Sequence, residues 1–121
     1  MSKIMVVDDE PPIVILTKAM LEMGGHKIVE AKSGEECLKM LKEEKPDLIL
    51  LDIMMPGIDG WETCRKIKSD KETKDIPVAM FTVRGSAGSI KKSLECGADD
   101  HISKPFDMED LIGTVKRLLG V

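Results

Sequence analysis

Three runs in this chain are apolar without interruption: Ile4 to Val7, Leu48 to Leu51 and Val78 to Phe81. A strand with one face in water alternates apolar and polar residues. A run that does not alternate predicts a strand covered on both faces, as in a parallel sheet packed between helices. Two further runs, Ile28 to Ala31 and His101-Ile102, are more polar or shorter, which places them at the sheet edges. Between the runs, apolar residues recur at helical spacing. Ile13, Leu16, Met20 and Leu21 share one face, as do Cys37, Met40 and Leu41, then Trp61, Cys64 and Ile67, and finally Leu111, Ile112, Val115, Leu118 and Leu119. The pattern is (βα)5, an open, doubly wound α/β domain with right-handed crossovers.

Punctuation agrees with these spans. Ser33 with Glu36, and Asp59 with Glu62, have capping-box spacing. Asp107 is placed to cap the last helix, and Pro11-Pro12 suit a first helical turn. Gly24 and Gly97 sit where helices should stop. The fourth helix begins in Arg84-Gly85-Ser86-Ala87-Gly88-Ser89, so its first turn is expected to fray. No Gly-Lys-Ser/Thr ending follows, so this is not a P-loop. Trp61 is expected one turn into the third helix, packed in the core.

Composition narrows the function classes. The 121 residues suit one core, and 42% apolar with 33% charged is an ordinary globular balance. No apolar run is long enough to span a bilayer, and the start is no signal peptide, so a cytoplasmic location is the default expectation. A net charge of −4 argues against a direct nucleic-acid binder. Cys37, Cys64 and Cys96 are odd in number and far apart, which indicates neither a zinc site nor a disulfide framework.

In doubly wound sheets, ligands bind beyond the carboxyl ends of the strands. Past the first run come Asp8 and Asp9, past the third Asp52, past the fourth Thr82, and past the fifth Lys104-Pro105. Three acids, a hydroxyl and a lysine thus converge on one edge. Two like charges about 5 Å apart at an effective dielectric near 20 cost about 3 kcal/mol, so protonation or a cation must relieve the cluster. Oxygen ligands without His or Cys favour Mg²⁺. Such a site would attract a phosphate dianion, with Asp52 as a nucleophilic carboxylate and Lys104 as a counter-charge. Each residue alone has an ordinary reading. Asp8 and Asp9 can favour a helix N-terminus, Asp52 a turn, Thr82 a strand end, and Lys104 a solvated loop. The coincidence of all five at one edge points to a site.

These residues carry a family resemblance. Val6-Val7-Asp8-Asp9-Glu10, Leu50-Leu51-Asp52-Ile53-Met54-Met55-Pro56-Gly57-Ile58-Asp59-Gly60, Phe81-Thr82 and Gly97-Ala98-Asp99-Asp100-His101-Ile102-Ser103-Lys104-Pro105-Phe106 together resemble a response-regulator receiver domain of two-component signalling. The match covers essentially the whole chain, read as one domain over residues 1–121. The resemblance implies a flavodoxin-like sandwich with strand order 2-1-3-4-5. It implies Asp52 as phosphoacceptor and Mg²⁺ held by Asp9, Asp52 and the backbone carbonyl of Met54, with Asp8 acting largely through water. It further implies Thr82 and Lys104 as phosphoryl partners and a cis peptide before Pro105. The domain would be no conventional enzyme, catalysing only its own phosphorylation and dephosphorylation. The donor would be a sensor histidine kinase, a phosphotransfer protein or acetyl phosphate. The readout would be a changed surface of the fourth helix, fifth strand and fifth helix for a downstream protein or output domain. The molecule would be a monomer or a weak, phosphorylation-dependent dimer.

Two positions depart from the family pattern. His101 stands where a Tyr or Phe usually swings inward with the threonine, leaving two readings: a smaller switch residue, or an edge-strand His that does not switch. Val83 stands where Ala or Gly is usual and is expected to crowd the phosphoryl pocket. Met54 and Arg84 occupy positions that tune dephosphorylation in the family. The competing readings are a pseudo-receiver that keeps the fold without switching, an aspartyl phosphatase, and a flavin-binding electron carrier. The phosphatase pattern wants an acid at Met54 and a cap insertion. The flavin carrier wants hydroxyls where this chain has Asp8 and Asp9. No output domain follows Val121, so the chain reads either as a regulator acting by protein contact or as part of a longer one.

Overall fold

The computed structural model describes residues 2–83 and 85–121. Ten elements alternate: β1 (Lys3–Val7), α1 (Pro11–Met23), β2 (Lys27–Ala31), α2 (Gly34–Met40), β3 (Leu48–Asp52), α3 (Gly60–Ser69), β4 (Val78–Val83), α4 (Ala87–Glu95), β5 (Asp100–Lys104) and α5 (Met108–Leu119). The strands form one parallel sheet in the order β2-β1-β3-β4-β5. The uninterrupted apolar runs are its three central strands, and the two more polar runs are its edges. The (βα)5 alternation is the one the pattern predicts, and the strand order is the one the family resemblance implies.

Side-chain alternation splits the core in two. Met5, Val7, Ile49, Leu51 and Met80 pack against Cys37 of α2 and Cys64 and Ile67 of α3. Ile4, Val6, Leu48, Leu50 and Phe81 pack against Leu21 of α1 and Leu111 and Val115 of α5. Both faces of β1, β3 and β4 are therefore covered, which is why their sequences do not alternate.

The caps differ in detail from the sequence reading. Ser33 and Asp59 each accept from the N–H three residues on, at 3.0 and 2.8 Å. The full reciprocal box forms instead at α5, between Asp107 and Asp110. The fourth helix does not begin frayed: the Ser86 hydroxyl accepts from Ser89 N–H at 3.2 Å and bonds the Ser89 hydroxyl at 2.9 Å. Serines that weaken a helix interior cap its start well, which is why a turn-rich stretch forms an ordered first turn here. Gly97 takes the left-handed φ of +96° after α4, as a helix stop requires. Far from the chemistry, Lys68 ties the base of the sheet, donating to the carbonyls of Lys74 (3.1 Å) and Ile76 (2.7 Å) and to Asp99 (2.8 Å).

Candidate functional site

Lys104 is the hub of the carboxyl edge. It closes β5, and its ammonium donates to Asp8 Oδ2 at 3.0 Å, Asp52 Oδ1 at 3.1 Å and Glu10 Oε1 at 3.4 Å. The Lys104–Pro105 peptide is cis. Phe106, just beyond it, stacks on Phe81 at 5.5 Å, and the Phe81 ring lies 5.2 Å from the ammonium. An aromatic face on one side and carboxylates on the other fix the lysine's position.

Asp52 is the last residue of β3 and is buried. Its Oδ1 also accepts from Ile53 N–H at 3.0 Å, whereas its Oδ2 is buried with no hydrogen-bond partner. Asp8 lies beside it, buried, with Oδ1 held by Glu10 N–H at 2.9 Å. The start of α3 presses on this point, because Gly60 N–H donates to Ile53 O at 2.7 Å. A Cβ at Gly60 would lie 2.1 Å from the Asp52 carbonyl oxygen, so only glycine permits the approach.

Burial pushes the Asp52 carboxyl up to about 6, Asp8 adds repulsion, and Lys104 offsets part of both. For Lys104, burial works against the charge, but the bond to Asp8 and the charges of Asp52 and Asp8 outweigh it. Its value is raised, so it stays an ammonium. Asp8, Asp9, Glu10 and Asp52 each offer one carboxylate oxygen, and these atoms lie within 4.8 Å of one another. The set is all oxygen and suits a hard divalent cation. The orphaned Asp52 Oδ2 is an acceptor ready for one.

The remaining sequence candidates fall into two groups. Thr82 is buried in β4 with an unpartnered Oγ1. It lines one pocket with Asp52, Lys104, Met54, Trp61 and Ser89. Met54 and Val83 are exposed, and both line this pocket. Arg84 lies outside the described residues. His101 is half-buried on β5, its ring Nδ1 3.8 Å from Asp100 Oδ1, in a groove with Arg117 of α5. It pairs in register with Met80, and Thr82 pairs with Ser103. His101 and Thr82 therefore share a face of the sheet, two residues apart.

Two participants escaped the sequence reading. Glu10 belongs to the acid cluster and to the Lys104 network. It stands third in the run Asp8-Asp9-Glu10, which was the available signal. Trp61, expected in the third helix and packed in the core, sits in the first turn of α3, half-buried against the core of that side, and its further polar contacts were the unread part. Its Nε1 donates to Ser93 Oγ at 3.1 Å, and Lys92 stands 4.2 Å over its ring.

Comparison with known proteins decides the family. The model of the response regulator receiver domain matches residues 4–116. This chain belongs to that family. The receiver is 42% identical over 116 residues to the phosphate regulon transcriptional regulatory protein PhoB of Pseudomonas aeruginosa, covering 96% of this chain and 51% of that protein. It spans about half the length of the curated relatives it matches. Its fold is similar to the signal receiver domain of a signal transduction histidine kinase from Syntrophus aciditrophicus, with TM-score 0.93, 37% identity, and 99% and 91% of the two chains covered. The receiver domain of a sensor histidine kinase from Pseudomonas aeruginosa matches with TM-score 0.91 at 25% identity, over 99% and 98% of the chains. That protein has a magnesium ion coordinated in its active-site cleft. The present chain is thus the receiver of a two-component response regulator, a signalling domain rather than a conventional enzyme. Among its described residues, no helix is long and apolar enough to cross a membrane.

Proposed function

We propose that this receiver is a phosphorylation switch and that Asp52 accepts the phosphoryl group. One observation carries the reading: Asp52 Oδ2 and Thr82 Oγ1 are both buried, both lack a hydrogen-bond partner, and both belong to the pocket that Lys104 lines. A buried polar atom left unpaired costs about 1–3 kcal/mol; a phosphoryl oxygen here would accept from the Thr82 hydroxyl, and a new bond to phosphorus or a bound cation would engage the Asp52 carboxylate.

Asp9, Asp52 and the Met54 carbonyl would hold Mg²⁺, with Asp8 largely through water. The ion held there would supply positive charge to offset that on the phosphoryl oxygens. An Asp52 oxygen attacks phosphorus. The new O–P bond forms as the donor's N–P bond breaks, and the phosphohistidine imidazole leaves; with acetyl phosphate, acetate leaves. Lys104 pairs with one phosphoryl oxygen and Thr82 donates its hydroxyl proton to another. Glu10 takes part by sharing Lys104 in the resting state and releasing it as the phosphoryl group arrives.

The partners follow from this chemistry: a sensor histidine kinase or phosphotransfer protein upstream, and a downstream protein or output domain reading α4, β5 and α5. Direct nucleic-acid contact by this acidic domain is not part of the reading. The domain works as one unit over residues 1–121, in the cytoplasm, as a monomer or weak phosphorylation-dependent dimer. His101, on the Thr82 face of β5, is the candidate relay to that surface. The intact Asp8, Asp9, Asp52, Thr82 and Lys104 set speaks against a receiver that only binds.

Intact mass before and after acetyl phosphate with Mg²⁺ tests the assignment. Wild type is expected to gain one phosphoryl group and Asp52→Asn none. Uptake by the variant, or none by wild type, would sink the reading.

A further inference from the structure

Helix α4 is seated unlike the other helices. Its one buried side chain is a polar residue, Ser93. By contrast, α3 buries Cys64 and Ile67, and α5 buries Leu111 and Val115. The Ser93 hydroxyl donates to Ser89 O at 2.8 Å and accepts from the Trp61 indole N–H at 3.1 Å. Cys96 anchors the C-cap of α4 in the core, but along the helix itself the buried contact is this hydrogen bond, which can be made and broken at modest cost.

The two ends of this bond are fixed to different bodies. Trp61 rides on the first turn of α3, locked to the end of β3 by the Gly60–Ile53 bond and the close contact with Asp52 O. Ser93 rides on α4, whose start follows Thr82 and Val83: Ser86 caps the helix, and its N–H donates to Val83 O at 3.1 Å. Trp61 and Ser89 also line the pocket with Asp52 and Thr82. Thr82 is thus joined to the cap of α4 through Val83, whereas α3 is tied to the end of β3, and the Trp61–Ser93 bond spans the two.

We infer that Trp61 and Ser93 are positioning residues that latch α4 in the unmodified state, so that occupancy of the Asp52 pocket reaches α4 without passing through His101. The inference rests on the phosphoacceptor reading of Asp52. By linkage, a bond present only in the resting state opposes occupancy, so removing it tightens the pocket's hold on a phosphoryl mimic. Loss of one neutral hydrogen bond corresponds to about a fivefold change. A merely structural contact would lower stability on removal and leave that affinity unchanged or weaker.

The probe is fluoroberyllate with Mg²⁺, an aspartyl-phosphate mimic. Trp61 is the only tryptophan, so its indole N–H gives one resonance. Three results are expected. The indole resonance moves when fluoroberyllate binds wild type. Ser93→Ala binds fluoroberyllate about fivefold more tightly with Mg²⁺ affinity unchanged, and Trp61→Phe likewise binds fluoroberyllate about fivefold more tightly. His101→Ala leaves the indole shift intact. Bound fluoroberyllate seen by ¹⁹F resonance with an unmoved indole overturns the latch alone, as does unaltered affinity in whichever of the two variants keeps wild-type secondary structure. Absence of any bound fluoroberyllate in wild type overturns the phosphoacceptor reading and the latch with it.

Discussion

At the scale of single residues, the site is a balance of charges that one lysine closes. Lys104 touches three carboxylates, yet burial and Asp8 still hold the Asp52 carboxyl well above its ordinary value, at about 6 against 3.8. The folded state therefore binds that proton more tightly than the unfolded chain does. The stability this contributes is intact below the ordinary value and is lost as pH rises through about 6. Asp52→Asn removes the charge while keeping the shape. It is expected to stabilise the metal-free protein by about 1–3 kcal/mol at neutral pH and by little in mild acid, as read from urea midpoints in chelator. Saturating Mg²⁺ should reverse the order, because it stabilises the state that binds it. A variant no more stable than wild type at neutral pH would show that Lys104 already neutralises the site. Asp8, Asp52, Thr82 and Lys104 were legible in the sequence because each sits at the end of an apolar run. Glu10 was not singled out, because an acid before Pro11-Pro12 also reads as a helix start. Its side chain caps nothing and turns to Lys104 instead.

At the scale of elements, two glycines predict opposite outcomes from the same substitution. Gly60 has the Asp52 carbonyl where a Cβ would go, whereas Gly113, inside α5, has nothing within 4 Å. Gly60→Ala is expected to cost about 3 kcal/mol by forcing α3 off the strand. Gly113→Ala should gain about 0.5–1 kcal/mol through helix propensity. Denaturant melts of the pair check both, and equal effects would remove the close-approach argument. Helix α4, seated by Ser93 rather than by an apolar side chain, is expected to exchange its amide hydrogens faster than α5. Mass spectrometry of α4 and α5 peptides reads this directly, and equal protection would contradict the loose seating. The element order was legible from period and punctuation alone. The α4 seat was not, because Trp61 and Ser93 are 32 residues apart and pattern rules describe only neighbours along the chain.

At the scale of the whole molecule, the sheet divides the interior, and all three cysteines are buried on the side of α2 and α3. Burial pushes the Cys37 and Cys64 thiols up to about 12, with Cys96 adding to the shift at Cys64. Thiolate reagents at mildly alkaline pH are expected to label neither thiol in the native protein, and to label all three cysteines in denaturant. Because the folded values lie above the unfolded ones, the stability tied to these thiols is present below about 9 and is lost as pH climbs toward 12. Rapid native labelling of Cys37 would contradict the burial. The strand order has a consequence of its own. Asp8, Asp52 and Lys104 enter from the first, third and fifth strands, so the acids are synthesised long before their lysine. Until β5 docks, the acids that β1 and β3 deliver have no lysine between them, so balancing the charge of the pocket and closing the sheet are one event.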